Sequence, residues 1–179
     1  MRTRILVIGL GNTIMGDDGL GYCFIKAVKA CNGVENAELM ELGAMTLGDI
    51  GIFEGRDLVI VVDAVNTDKP PGTLVIIEAD PNKADKDEMS LVHSHDIDPL
   101  RIIAIAHSAG LFSGKIILVG IVPKSVEIGR GLSREVLSRI GDLYDEVKRV
   151  LEGSGAKVYA SRACVVEWVT KHCTRPLLD

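Results

Sequence analysis

Short aliphatic runs alternate along this sequence with segments whose apolar residues recur at helical spacing. The clearest run, residues 57–65, contains five consecutive aliphatic residues and predicts a strand that is buried on both faces. The most regular helical pattern covers residues 133–151 and begins at Ser133, a good N-cap residue. Strands that alternate with helices predict an α/β fold, in which a doubly wound, mostly parallel twisted sheet is covered by helices on both sides.

The pattern predicts a three-layer domain with about five strands. The predicted strands are residues 4–8, 37–42, 57–65, 73–79 and 115–122, and the predicted helices are residues 19–30, 46–53, 99–108 and 133–151. The link between the third and fourth strands contains Pro70, Pro71 and Gly72 and is too short for a helical crossover. We therefore expect these two strands to be antiparallel or to form an edge pair.

Length and composition are those of one domain with an aliphatic core. The chain has 179 residues, of which 47% are hydrophobic and only 4% are aromatic. We assign residues 1–155 to the α/β domain and residues 156–179 to a C-terminal extension. Because the apolar residues of the extension have no firm period, it is predicted as a strand or a helix. It packs on the same domain or at an oligomer contact, and we expect a monomer or a weak homodimer.

The net charge and the cysteine spacing argue against several kinds of binding partner and functional site. The formal net charge is −5, which argues against a nucleic-acid partner, and no apolar stretch is long enough to span a membrane. The four cysteines form no CxxC pair, so neither a zinc cage nor a redox motif is predicted. We expect all four cysteines to be reduced thiols in a cytoplasmic protein: Cys23, Cys31, Cys164 and Cys173.

Functional residues are expected where strands of an open α/β sheet end, because loops and helix N-termini meet there. The first strand leads into a glycine-rich turn that resembles a dinucleotide fingerprint, but Ile14 stands where the third glycine is needed. Asp17 and Asp18 lie near the mouth of the turn and would repel a pyrophosphate. The sequence therefore disfavours a nucleotide cofactor.

Two carboxylates and a histidine favour a divalent metal instead. Asp18 lies close to a helix N-terminus, and Asp63 ends an otherwise apolar strand, where an unpaired charge is costly. His93 and His95 are two positions apart and would point the same way in an extended segment, so either could reach the site. Carboxylate oxygen combined with imidazole nitrogen suits nickel or zinc better than calcium or magnesium.

The chain resembles the hydrogenase maturation proteases, which trim the C-terminal extension of the nickel-iron hydrogenase large subunit. Five motifs carry the resemblance in the order of the family, and the first is the most specific: Gly9-x-Gly11-Asn12-x4-Asp17-Asp18-Gly19-x-Gly21, Asp63-Ala64-Val65, Ser94-His95, Gly120 to Pro123, and Gly131-Leu132-Ser133. One departure is that the usual Gly-Gly-Thr after the second strand is replaced in this chain by Leu42-Gly43-Ala44.

The resemblance implies an endopeptidase that cuts the precursor only after nickel has been inserted. The nickel-contacting residues of the family fall on Asp18, Asp63 and His95 of this chain. They would complete the coordination of nickel that the precursor carries, so this chain would hold no nickel tightly by itself. The catalytic residue stays open: Asp17, Asp18, Asp63 or the metal would activate the attacking water, as in an aspartic-type or a metal-assisted mechanism.

Two other functions remain as alternatives. A nickel-dependent checkpoint or escort protein would use the same nickel-contacting residues without cutting the precursor. Peptidyl-tRNA hydrolase also opens with a strand and a Gly-Leu-Gly-Asn turn, but it requires an early histidine and a basic groove. The first histidine of this chain is His93 and the net charge is −5, so this alternative ranks last.

Overall fold

A computed structural model describes residues 4–79 and 99–177 of the chain. Its centre is a five-stranded sheet, and a separate pair of two-residue strands lies outside it. The strands in chain order are β1 (Ile5–Leu10), β2 (Val34–Glu35), β3 (Glu38–Leu42), β4 (Leu58–Ala64), β5 (Leu74–Ala79), β6 (Lys115–Ile121) and β7 (Lys157–Val158).

Five α-helices and two 3-10 helices surround the strands in the described ranges. The α-helices are α1 (Leu20–Ala30), α2 (Pro99–Ser108), α3 (Arg134–Leu137), α4 (Ile140–Gly153) and α5 (Arg162–His172), and the 3-10 helices are Gly16–Gly19 and Leu47–Phe53. Among the described residues, no helix is both long enough and apolar enough to cross a membrane.

The predicted helix 133–151 is interrupted, which periodicity did not reveal. Ser133 caps α3 as predicted, because its hydroxyl accepts a hydrogen bond from the amide of Val136. The chain then leaves α3, and α4 begins only at Ile140. Val136 and Ile140 are both buried and keep the four-residue spacing across the break, so the apolar pattern continues where the helix does not.

The sheet confirms the predicted fold class and corrects one neighbour relation. Its strand order is β3-β1-β4-β6-β5; the first four strands are parallel, and β5 is an antiparallel edge strand. The prediction that β5 runs antiparallel to β4 is confirmed, but the two strands do not form a pair, since β6 lies between them. The link from β4 to β5 passes over the end of β6, where Gly72 donates its amide to the Val122 carbonyl and Val122 donates to the Thr73 carbonyl.

Each face of the sheet is buried against its own set of helices. Alternate residues of a strand point to opposite faces, so Ile5 and Val7 pack in the cluster that contains α1 and α4. Leu6 and Ile8 enter a second cluster with α2 and the Leu47–Phe53 helix. This double burial explains why β1 and β4 read as continuous aliphatic runs, and it makes the domain three layers thick.

The C-terminal segment is tied to α1 by two disulfides, Cys23–Cys173 and Cys31–Cys164. The prediction of reduced thiols is therefore wrong, because all four cysteines are paired. Cys23 lies in α1 and Cys31 directly follows it, while Cys164 lies in α5 and Cys173 directly follows it. The partners of the two disulfides are 150 and 133 positions apart in the sequence. Sequence spacing could not reveal them, because only packing of α5 against α1 brings the pairs together.

Candidate active site

Glycines of the first motif allow α1 to lie directly against the sheet. A Cβ atom at Gly21, in the first turn of α1, would lie 2.0 Å from the Val62 carbonyl oxygen of β4. A Cβ atom at Gly9 of β1 would lie 2.0 Å from the Gly21 carbonyl oxygen. These glycines therefore serve close packing of helix on strand.

A third glycine shapes the turn between β1 and α1. Gly11 has a φ of +123°, which favours glycine, and a Cβ atom there would lie 1.6 Å from the Asp18 carbonyl oxygen. The Gly11 amide also donates to the carbonyl of Leu42 at the end of β3. This turn holds Asp18 above the carboxyl end of β1, where its Oδ2 accepts a 2.7 Å hydrogen bond from the Asn12 amide.

Asp18 and Asp63 line one open cleft at the carboxyl edge of the sheet. Asp63 lies near the end of β4, the neighbour of β1, and its Oδ1 accepts a 2.7 Å hydrogen bond from the Ala64 amide. Both aspartates are partly buried. The remaining walls come from the loops after β1, β3, β4 and β6 and from the start of α2, through Leu10, Gly11, Gly43, Ala44, Met45, Ala64, Asn66, Pro123, Val126 and Pro99.

Both histidines of the predicted site, His93 and His95, lie outside the described residues. Pro99 does line the cleft, and His95 precedes it by four positions, a reach of at most about 14 Å for an extended chain. In the described ranges, no cluster of three or more His, Cys, Asp or Glu side chains could hold a metal. The described part of the site thus supplies two carboxylates.

Asp17 lies elsewhere, although it is the sequence neighbour of Asp18. It is fully buried and does not line the cleft. Its Oδ2 accepts hydrogen bonds from the amides of Lys124 (2.8 Å) and Ser125 (3.1 Å), and its Oδ1 accepts one from Ser133 (2.6 Å). Such bonds to a charged acceptor are strong. Asp17 therefore positions the loop after β6. Because its oxygens already accept these three hydrogen bonds, the structure argues against a role for Asp17 as catalytic base.

We expect Asp17→Asn to lower the free energy of unfolding by about 3 kcal/mol, because an amide NH₂ would face buried N–H donors. Asp18→Asn is the matched control and should stay within about 0.5 kcal/mol of the parent protein, since its remaining oxygen still accepts from Asn12. Urea denaturation measures both variants. Hydrogen exchange should accelerate at the amides of Lys124, Ser125 and Ser133 in the Asp17 variant alone, and unchanged exchange there would contradict the positioning role.

The cleft includes residues that sequence reasoning did not select. Gly43, Ala44 and Met45 form its wall after β3, and Val126 forms part of its wall after β6. The departure from the family pattern at Gly43 and Ala44 therefore lies within the site itself. The strand-end rule could have found the segment after β3, because β3 is parallel to β1 and ends at the same edge.

Comparison with known proteins decides the family. The family model described as hydrogenase maturation protease matches residues 24–150, more than half of the chain. The chain belongs to the hydrogenase maturation proteases. It is accordingly a hydrogenase maturation endopeptidase, a hydrolase that acts on peptide bonds.

Individual relatives agree with this assignment. The hydrogenase 2 maturation protease of Escherichia coli is 26% identical over 167 residues, covering 89% of this chain and 98% of its own. The hydrogenase expression/formation protein HupD of Rhodobacter capsulatus is 30% identical over 159 residues, covering 87% of this chain and 74% of its own.

Solved structures extend the similarity to the fold. The hydrogenase maturating endopeptidase HybD from Escherichia coli superposes with a TM-score of 0.70 at 26% identity, covering 88% of this chain and 96% of its own. The NiFe hydrogenase maturation protease HycI from Thermococcus kodakarensis gives a TM-score of 0.63 at 26% identity, covering 84% of this chain and 94% of its own.

Proposed function

We propose that this endopeptidase removes the C-terminal extension of a nickel-iron hydrogenase large-subunit precursor after nickel has been inserted. The observation that carries the proposal is the pair of carboxylates, Asp18 and Asp63, in one open cleft of a hydrogenase maturation protease. An open cleft at the carboxyl edge of the sheet gives an extended peptide access to both groups.

Nickel would arrive as part of the substrate. Asp18, Asp63 and His95 would complete the coordination of nickel that the precursor already carries. Two carboxylates and one imidazole leave coordination positions open and bind a free ion weakly, so the precursor's own ligands must supply the rest. An incomplete ligand set of this kind would let the enzyme distinguish a nickel-loaded precursor from an empty one.

For the hydrolytic step, Asp18 and Asp63 are the candidates because their carboxylates line the cleft. Asp17 does not line it, and its oxygens accept three backbone hydrogen bonds. One of the pair would accept a proton from water as the water oxygen attacks the scissile carbonyl carbon. The carbon–nitrogen bond then breaks, and the proton passes to the leaving amine. Substrate nickel at the same place would assist by making a bound water more acidic.

The decisive experiment incubates the purified protein with nickel-loaded and nickel-free precursors and follows the mass of the precursor's C-terminal part. We expect the extension to be released from the loaded form alone. Equal cleavage of both forms would refute nickel recognition. Nickel-dependent binding of the precursor without cleavage of either form would replace the proposal with the checkpoint or escort function.

A further inference from the structure

A groove next to the catalytic cleft, the cleft that Asp18 and Asp63 line, is rich in positive charge although the protein as a whole is negatively charged. The groove lies between the loop after β6 with the start of α3 on one side and the segment that follows α5 on the other. Its volume of about 570 Å³ is within the size range of ligand-binding pockets. The chain as a whole has a net charge of −5. Four basic side chains nevertheless line this cationic groove: Lys124, Arg130, Arg134 and Arg175.

Two of the four cations are neutralised within the groove. Lys124 pairs with Glu135 at 2.5 Å, and Arg130 pairs with Glu127 at 2.7 Å. The hydrogen bond from Lys124 lowers the pKa of the Glu135 carboxyl, which keeps that partner charged.

The other two cations, Arg134 and Arg175, are exposed and make no ion pair with any residue in the described ranges. The groove therefore carries two unneutralised guanidinium groups.

The groove walls are held in place on both sides. A Cβ atom at Gly131 would lie 2.4 Å from the Thr174 carbonyl carbon, and the Leu132 amide donates to the Cys173 carbonyl, so the two walls are in direct contact. Thr13 donates its hydroxyl hydrogen to the Leu177 carbonyl and fixes the end of the C-terminal segment. A preformed groove loses little conformational entropy when a ligand binds.

Groove and cleft are separated only by the loop after β6. Pro123 and Val126 line the catalytic cleft, while Lys124, Ser125 and Glu127 line the groove. A polypeptide chain whose scissile bond lies at Asp18 and Asp63 can therefore continue over this loop into the groove.

We propose that the cationic groove binds an anionic segment of the hydrogenase precursor, with Arg134 and Arg175 contacting its carboxylates. The choice of the hydrogenase precursor as the ligand of the groove rests on the function proposed above. Guanidinium groups bind carboxylates through two parallel hydrogen bonds and make oppositely charged chains associate faster. The C-terminal segment would then have a defined role, because Thr174, Arg175 and Pro176 form one wall of the groove.

The test compares two double variants that change the formal charge equally. The Arg134→Glu/Arg175→Glu variant reverses the free cations of the groove, and the Lys115→Glu/Lys171→Glu control reverses exposed cations outside it. We expect the groove variant to raise KM for the nickel-loaded precursor about tenfold at low ionic strength with kcat unchanged. High salt should shrink the difference. The control should keep the KM of the parent protein.

Equal KM values for the two double variants would overturn the proposal. A single-stranded oligonucleotide that binds the parent protein as tightly as the precursor does, and loses affinity only in the groove variant, would overturn it in favour of a nucleic-acid ligand. If the parent protein cleaves neither precursor, a direct measurement of precursor binding replaces KM as the test of the groove. Loss of precursor binding in the groove variant alone would support the groove proposal even though the proposed cleavage had failed. Equal precursor binding by both variants would reject the groove proposal.

Discussion

Asp18→Asn and Asp63→Asn are each expected to slow cleavage of the nickel-loaded precursor by at least about a hundredfold. Each replacement removes one negative charge from the cleft. Under the proposed function, the lost carboxylate is either a nickel contact or the base that accepts a proton from water. The fold should be retained, because the hydrogen bonds from Asn12 to Asp18 and from Ala64 to Asp63 need only one acceptor oxygen, which asparagine keeps.

Mass spectrometry of the released extension gives the rate, and thermal unfolding gives the stability. Glu167→Gln removes an exposed carboxylate from α5 and serves as the control with parental activity. His95→Ala should fall to the rate of the aspartate variants while His93→Ala does not, which distinguishes the two histidines. Parental rates in both aspartate variants would reject the cleft as the active site.

Gly21→Ala is expected to lower the free energy of unfolding by about 3 kcal/mol or more. Within a helix, alanine is normally more favourable than glycine by up to about 1 kcal/mol. At this position the new Cβ atom would lie 2.0 Å from the Val62 carbonyl oxygen and 2.5 Å from the Leu10 amide nitrogen. Both contacts are with backbone atoms of the sheet, so α1 must move away from β1 and β4.

Gly153→Ala is the matched control, because Gly153 also lies in a helix, α4, with nothing within 4 Å of an added Cβ atom. It should be neutral or stabilising by about 0.5 kcal/mol. Urea denaturation of the two variants and the parent protein measures the difference. If Gly21→Ala were as stable as Gly153→Ala, the close approach of α1 to the sheet would not be required.

Local patterns were sufficient for the five strands of the central sheet and for the fold class, and the motifs were sufficient for the family. Residues buried on both faces of a sheet form uninterrupted aliphatic runs, so β1, β4 and β6 could be read directly from the sequence. The rule that parallel strands present functional residues at their carboxyl ends then selected Asp18 and Asp63. These two side chains do line one cleft. The role of His95 stays a prediction.

Sequence by itself therefore determined which segments form the layers and which strand ends carry carboxylates, because both depend on neighbours a few positions away. Only the tertiary structure decided that β6 lies between β4 and β5, and that Cys23 and Cys31 pair with Cys173 and Cys164. It also separated Asp17 from its neighbour, since the amides that bind it lie more than 100 positions away. Contacts between distant segments arise from packing, which local periodicity does not record.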